Sequence, residues 1–169
     1  GKYAWLIGND DLILPNTLND LKKIFEANID VDFFFVNSYY LNSNYLNNYP
    51  KPFNTYELRN KSLESISNFK ENKRVNFWEM IDPKVSWEFL ISIFVCVFNR
   101  KMWLEGLDCV SQEDIHDTRV WSNFDNTCFN GKIISTVFKD KKSIICAEPL
   151  SVNLIGERDW VSMYDFIEI

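Results

Sequence analysis

With 169 residues, of which 46% are hydrophobic and 16% aromatic, the chain has enough apolar material for one compact core, and residues 1–169 read as a single domain. Its 18 basic and 24 acidic side chains leave a net charge of −6, and the short basic runs 70–74 and 139–142 are interrupted by acids. That balance excludes nucleic acid as a partner, because phosphate neutralisation needs clustered Lys and Arg.

No stretch reaches the roughly 20 apolar residues that span a bilayer, and no signal-peptide pattern is present. The four cysteines, Cys96, Cys109, Cys128 and Cys146, are widely spaced with no C-x-x-C pair. This argues against a zinc site or a disulfide framework and for a reducing, cytoplasmic compartment.

In chain order, Tyr3 to Ile7 reads as a short buried strand that ends abruptly at Gly8-Asn9-Asp10-Asp11. Pro15-Asn16-Thr17 opens an amphipathic helix with Leu18, Leu21, Ile24 and Phe25 at helical spacing. Val31 to Tyr40, rich in β-branched and aromatic residues, predicts a second strand. Residues 41–61, crowded with Asn, Pro and Tyr, predict a long irregular loop, and loops of that length usually have a role. Short helices are expected over 63–71 and 77–81, a strand over 91–98 and a helical turn over 100–105. Residues 117–129 predict a helix stopped by Asn130-Gly131. Strands over 132–138 and 143–146, joined by a charged turn, follow, and 160–169 could begin another helix. Alternating strands and helices make this an α/β protein.

The chemistry is concentrated where the first strand breaks open. Asp10 and Asp11, with Asn9 before them, lie at the C-terminal end of a strand, the edge at which open α/β sheets bind ligands. Carboxylates on a tight turn suit Mg²⁺ or Mn²⁺, which take few protein ligands and share substrate phosphate oxygens. The same three residues are also what a plain turn leading into a helix would use.

The stretch Trp5-Leu6-Ile7-Gly8-Asn9-Asp10-Asp11-Leu12-Ile13-Leu14-Pro15 resembles the region around the D-x-D motif of family 2 glycosyltransferases of the GT-A fold. In that family an aromatic-apolar strand leads to two or three acids, an apolar triplet and a helix-opening proline. The resemblance implies Asp11 as the ligand of Mg²⁺ or Mn²⁺, with Asn9 and Asp10 facing the nucleotide-sugar donor. Asn9 stands where the family carries an acid; it can hydrogen-bond a hydroxyl but lowers the local negative charge.

Two later stretches agree in order. The run from Phe94 to Trp103 is similar to the family's strand entering a basic, Trp-ended turn, and by its own composition it is mostly core. Gln112-Glu113-Asp114, followed by Arg119 and by Gly131-Lys132-Ile133, is similar to the family's E-D segment. There an acid at the mouth of a helix acts as catalytic base, which implies Asp114, with Glu113 and Asp117 as alternatives. By their own pattern, Glu113 and Asp114 would equally serve as acids complementing a helix dipole. His116 lies among these acids, where it could touch the metal or diphosphate or simply sit at the surface.

The resemblance therefore implies a partial GT-A fold, a mixed sheet flanked by helices, in the acceptor-side segment of a bacterial enzyme. Its activity would be metal-dependent, inverting transfer from a nucleotide-sugar donor to a surface-glycan or lipid-linked saccharide acceptor. The nucleotide-gripping βαβ half, which in the family precedes the acids, is not represented in these residues, so little catalysis is expected of the segment alone. Peripheral association of the parent with the inner membrane, and a homodimer of the segment, are further expectations.

Gly8-Asn9-Asp10 also invites comparison with the G-x-N-D block of SGNH hydrolases, but the intervening residue is missing. Phosphatases of the haloacid dehalogenase class need an earlier Asp-x-Asp strand. The rival from another class is a non-catalytic binding or scaffolding module of a polysaccharide-biosynthesis protein.

Overall fold

A computed structural model describes residues 1–8, 11–42, 56, 63–81, 92–119 and 122–155. The strands are β1 (Tyr3–Trp5), β2 (Leu12–Ile13), β3 (Phe33–Asn42), β4 (Glu64–Ser65), β5 (Lys73–Asn76), β6 (Cys96–Asn99) and β7 (Lys142–Ile155). The α-helices are α1 (Thr17–Ala27), α2 (Arg100–Glu105), α3 (Gln112–Ile115), α4 (Phe124–Thr127) and α5 (Phe129–Phe138). Short 3₁₀ turns occupy Phe77–Met80, Ile93–Val95 and Gly106–Cys109.

The strands form one mixed sheet in the order β1-β6-β3-β7-β2, with β4 also on β3 and β5 also on β7. The two long strands, β3 and β7, are parallel to each other, and every other pairing is antiparallel. Phe33 to Val36 carries no polar alternation, as a strand covered on both faces requires. Phe33 and Phe35 face a core shared with Phe77, Phe98, Ile134 and Phe138, so α5 lies on that face. Phe34 and Val36 pack with Leu21, Val97 and Ile144, and with Ile24 and Phe25 of α1 on the other face. The result is an α/β protein with helices on both faces of a mixed sheet.

α1 is entered through Asn16 at φ 65°, a left-handed conformation that Asn tolerates better than most residues. The helix starts at Thr17, and Leu18 on its solvent side is 68% exposed. Cys96 and Cys146 are buried in the apolar layers, where desolvation raises both thiol pKa values, that of Cys146 to about 12. No helix among the described residues is long and apolar enough to cross a membrane.

Halfway along, β3 changes character. Its pairing with β7 jumps from Val36↔Cys146 to Ser38↔Ser151, so Asn37 alone stands opposite Ala147, Glu148, Pro149 and Leu150. Pro149 is tolerated in a central strand because an irregularity needs no ladder N–H there. The buried Asn37 side chain stitches the gap. Its Nδ2 donates to Ala147 O (2.7 Å) and Ser65 Oγ (2.8 Å), and its Oδ1 accepts from the backbone N–H of Ser38 (2.9 Å) and Ser67 (3.0 Å). On the β7 side, the Leu150 carbonyl accepts from Leu14 N (3.0 Å) and Thr17 Oγ1 (2.6 Å).

Several expectations are corrected. β1 is shorter than 3–7 and is an edge strand with half-buried side chains; Leu6 and Ile7 have already left the sheet and are exposed. The helix expected over 63–71 is instead β4 and an irregular segment, because Asn37 and the Ser38 carbonyl capture Ser65, Ser67 and the Ile66 N–H. The helix expected over 77–81 is a 3₁₀ turn, and β5, which pairs with the start of β7, was not anticipated. The strand expected over 91–98 begins as a 3₁₀ turn and pairs only from Cys96.

The largest difference lies at 117–138. Asn130-Gly131 stops nothing: both residues lie in α5, which runs through the segment read as a strand. Ile133, Ile134, Val137 and Phe138 recur at helical spacing on the side that packs against the core. The expected loop beyond Asn42 and the expected helix over 160–169 fall almost wholly outside the described residues.

Candidate functional site

β1 is fixed at its C-terminal end by Trp5, whose Nε1 donates to Phe94 O at 2.7 Å. The chain then leaves the sheet and closes a turn: Asp11 N donates to Gly8 O at 3.2 Å, and Gly8 N donates to Asp11 Oδ2 at 2.8 Å. Asn9 and Asp10 lie outside the described residues. Immediately after Asp11, β2 pairs with β7 through Leu12↔Val152 and Ile13↔Ser151. That register brings Asn153 beside the turn, and its Nδ2 donates to Asp11 Oδ1 at 2.7 Å.

Among the described residues each oxygen of Asp11 accepts one hydrogen bond, from a neutral donor. A carboxylate has about four lone-pair sites, so these two bonds do not fill either oxygen. Among the described residues no Lys or Arg lies within ion-pair distance of Asp11.

The second group of predicted residues sits on α3. Asn99 caps α2, its Oδ1 accepting from Lys101 N (3.1 Å) and Met102 N (3.4 Å), and Trp103 stacks on Phe98 with ring centroids 5.5 Å apart. The chain then reaches Ser111, whose Oγ caps α3 by accepting from Asp114 N at 3.2 Å. Glu113 and Asp114 occupy the first turn of α3 with exposed side chains, and His116, just past its end, is exposed as well. Asp117 is engaged instead. Arg119 reaches it through Nε (3.0 Å) and an Nη (2.5 Å), and these bonds hold its pKa well below the usual carboxylate range. No hydrogen bond or ion pair among the described residues joins α3 to the Gly8–Asp11 turn.

Asp125 was not singled out by the sequence reading and Lys132 only as part of Gly131-Lys132-Ile133, yet the two anchor α3. Asp125, 6% exposed, accepts from Ser111 N at 2.7 Å and from Lys132 Nζ at 2.6 and 2.7 Å. The lysine, followed by the backbone N–H, lowers the Asp125 pKa. Asp125 and Lys132 lie on successive helices separated at Cys128, so their pairing depends on a junction that no spacing rule gives. Asn153 was also missed; its signal is the alternation Ser151-Val152-Asn153-Leu154, which puts two polar residues on one strand face.

Among the described residues no group of three or more His, Cys, Asp or Glu converges as a metal cluster. An oxygen-only site with a single carboxylate suits a hard divalent cation that keeps waters and takes phosphate oxygens from its substrate. The chemistry of Asp11 fits Mg²⁺ or Mn²⁺ in that limited sense. No protein-family model matches this chain, and no curated protein matches it.

Proposed function

We propose that the chain is the metal- and acceptor-side segment of a GT-A-type glycosyltransferase that moves a sugar from a nucleotide donor to a bacterial glycan or lipid-linked acceptor. The observation that carries this reading is the Asp11 carboxylate. It is held directly before β2, against Asn153 of β7, with neutral donors on both oxygens and, among the described residues, no Lys or Arg within ion-pair distance. Mg²⁺ or Mn²⁺ bound there would stabilise the charge that builds up on the departing nucleoside diphosphate. Asn9 and Asp10, which precede Asp11 in sequence, would face the donor.

The second task is removal of a proton from the acceptor hydroxyl. A base must present a free carboxylate on a fixed backbone. Asp114 meets both conditions: its N–H is capped by Ser111, and its side chain is exposed without an ion-pair partner among the described residues. Asp117 is the weaker candidate, since the Arg119 guanidinium lowers its basicity. Attack by the activated hydroxyl on the face opposite the leaving group would invert the anomeric centre.

The test is release of nucleoside diphosphate by the full-length protein from a panel of sugar nucleotides, with Mn²⁺ or with EDTA. Turnover of one donor that requires the cation and falls at least a hundredfold in Asp11→Ala is the expected result. Turnover indifferent to both cation and Asp11, or no turnover of any donor, would instead favour a binding module.

A further inference from the structure

We infer that Asn153 is a positioning residue for the cation site at Asp11; the inference rests on the reading of Asp11 as a cation ligand. The two hydrogen bonds to the Asp11 carboxylate differ in kind. The bond from Gly8 N is local to the turn and moves with it. The bond from Asn153 Nδ2 spans 142 residues of sequence and ties Oδ1 to a central strand.

Asn153 is itself well fixed. It is 8% exposed and sits opposite Tyr40 on β3. Two residues earlier on the same strand, Ser151 Oγ donates to Ser38 Oγ at 2.9 Å. The side chain that orients Asp11 therefore belongs to a polar seam crossing β3 and β7, and Asp11 is aligned to the sheet rather than to its own loop.

The residue type also matters. A Lys or Arg at this position would orient the carboxylate but neutralise it and repel an incoming cation; an Asp would repel Asp11 when both are ionised. Asn supplies an N–H donor with no charge, so it holds the carboxylate without placing a positive charge beside it. Hydrogen-bonding partners of metal ligands typically contribute about 10- to 100-fold to metal affinity.

The experiment is a Mn²⁺ titration of the full-length protein followed by paramagnetic broadening of its amide resonances. It compares wild type with Asp11→Ala, Asn153→Leu, Asn153→Ala and Ser151→Ala, each checked by thermal melting. Asn153→Leu keeps bulk and loses the donor. Asn153→Ala empties the position and serves where leucine is not accommodated. Ser151→Ala breaks a bond of the same seam without touching Asp11.

The expected result is saturable broadening around Gly8 and Asp11 that Asp11→Ala abolishes. The Asn153 variants should need about tenfold more Mn²⁺, and Ser151→Ala should bind as wild type despite a lower Tm. Wild-type Mn²⁺ affinity in a folded Asn153 variant would overturn the positioning role and leave Asp11 as the ligand. Equal weakening by Ser151→Ala would also overturn it, by showing a general effect of the seam. Broadening that survives Asp11→Ala, or none in wild type, would overturn the cation site and the inference with it.

Discussion

Phe33 to Val36 and Asn37 to Asn42 lie end to end on one strand, yet they are built on opposite principles. In the first half every side chain is apolar and buried. Phe33 meets Phe77 at 5.4 Å and Phe138 at 5.3 Å between ring centroids, while Phe34 meets Phe25 at 4.9 Å and Tyr3 at 5.2 Å. In the second half, buried Asn37 and Ser38 are fixed by hydrogen bonds to β4 and β7, and the register with β7 is broken between the halves. Apolar packing is non-directional, so the first half sets how firmly the layers hold together. Hydrogen bonds are directional, so the second half sets where β7 lies, and β7 carries the side chain that meets Asp11.

The comparison can be broken at three points of decreasing effect. Phe33→Ala removes a fully buried ring that touches two others and should lower unfolding free energy in urea by about 3–5 kcal/mol. Its ring partners Phe77 and Phe138 lie on the face covered by α5, so the Asn153 and Asp11 resonances should move little. Asn37→Leu leaves the N–H groups of Ser38 and Ser67 and the Ala147 carbonyl without this side-chain partner, and should cost about 2–3 kcal/mol. Unlike the phenylalanine change, it should shift resonances from Ala147 through Asn153. An Asn37→Leu protein with unaltered β7 resonances would show that the register does not depend on the seam.

Gly106→Ala probes the helical layer over the apolar half. An added Cβ would overlap Val137 Cγ2 and lie 3.0 Å from Ile133 Cγ2, so either these side chains or α5 itself must give way. About 1–3 kcal/mol is expected from such overpacking, again by urea denaturation. A neutral result would mean that these side chains or α5 give way without cost.

The apolar half is also the part that could be read from sequence. A run of three phenylalanines and a valine admits few structures besides a covered strand, and Leu21, Ile24 and Phe25 fix the inward side of α1. Arg100 to Glu105 was legible because Asn99 is a strong helix cap and an apolar strand precedes it. The region 117–138 was misread for a local reason. Asn-Gly is a common helix stop, and Ile-Ile-Ser-Thr-Val-Phe has strand propensity, but burial of Ile133, Ile134 and Phe138 against the sheet outweighs both.

At the candidate site, the strand and the acid turn could be located from residue order, but Asp114 lies within its own short capped helix and not ahead of a helix over 117–129. The partners of Asn153 and Asp125 could not be located that way, since each is fixed only by tertiary structure. Asp11 and Asn153 are far apart in sequence and meet because Leu12 pairs with Val152. Asp125 reaches Ser111 from a separate short helix, where a single helix over 117–129 was expected.

The smallest effect on stability should come from Asp125→Asn, and its pH dependence makes it the sharpest test of the polar anchor. Lys132, with the Ser111 N–H, lowers the Asp125 pKa in the folded protein, so the folded state favours the ionised form more than the unfolded chain does. A carboxylate with a depressed folded pKa contributes stability that is complete above its unfolded value, about 3.9, and is lost as pH falls through the folded value. The Tm of wild type should therefore exceed that of Asp125→Asn at neutral pH, and the gap should narrow steadily below about pH 4. Asp117, also held low by Arg119, titrates in both proteins and cancels from the difference. A gap that stays constant down to pH 2 would show that the carboxamide is deficient in shape or hydrogen bonding rather than in charge. The Lys132 pair would then not be what secures α3. Narrowing on schedule, together with sharper exchange of the Ser111 and Asp114 amides in the variant, would place the anchor of the proposed base in this one ion pair. The helix bearing Asp114 would then depend on a charge, just as the turn bearing Asp11 depends on the uncharged seam.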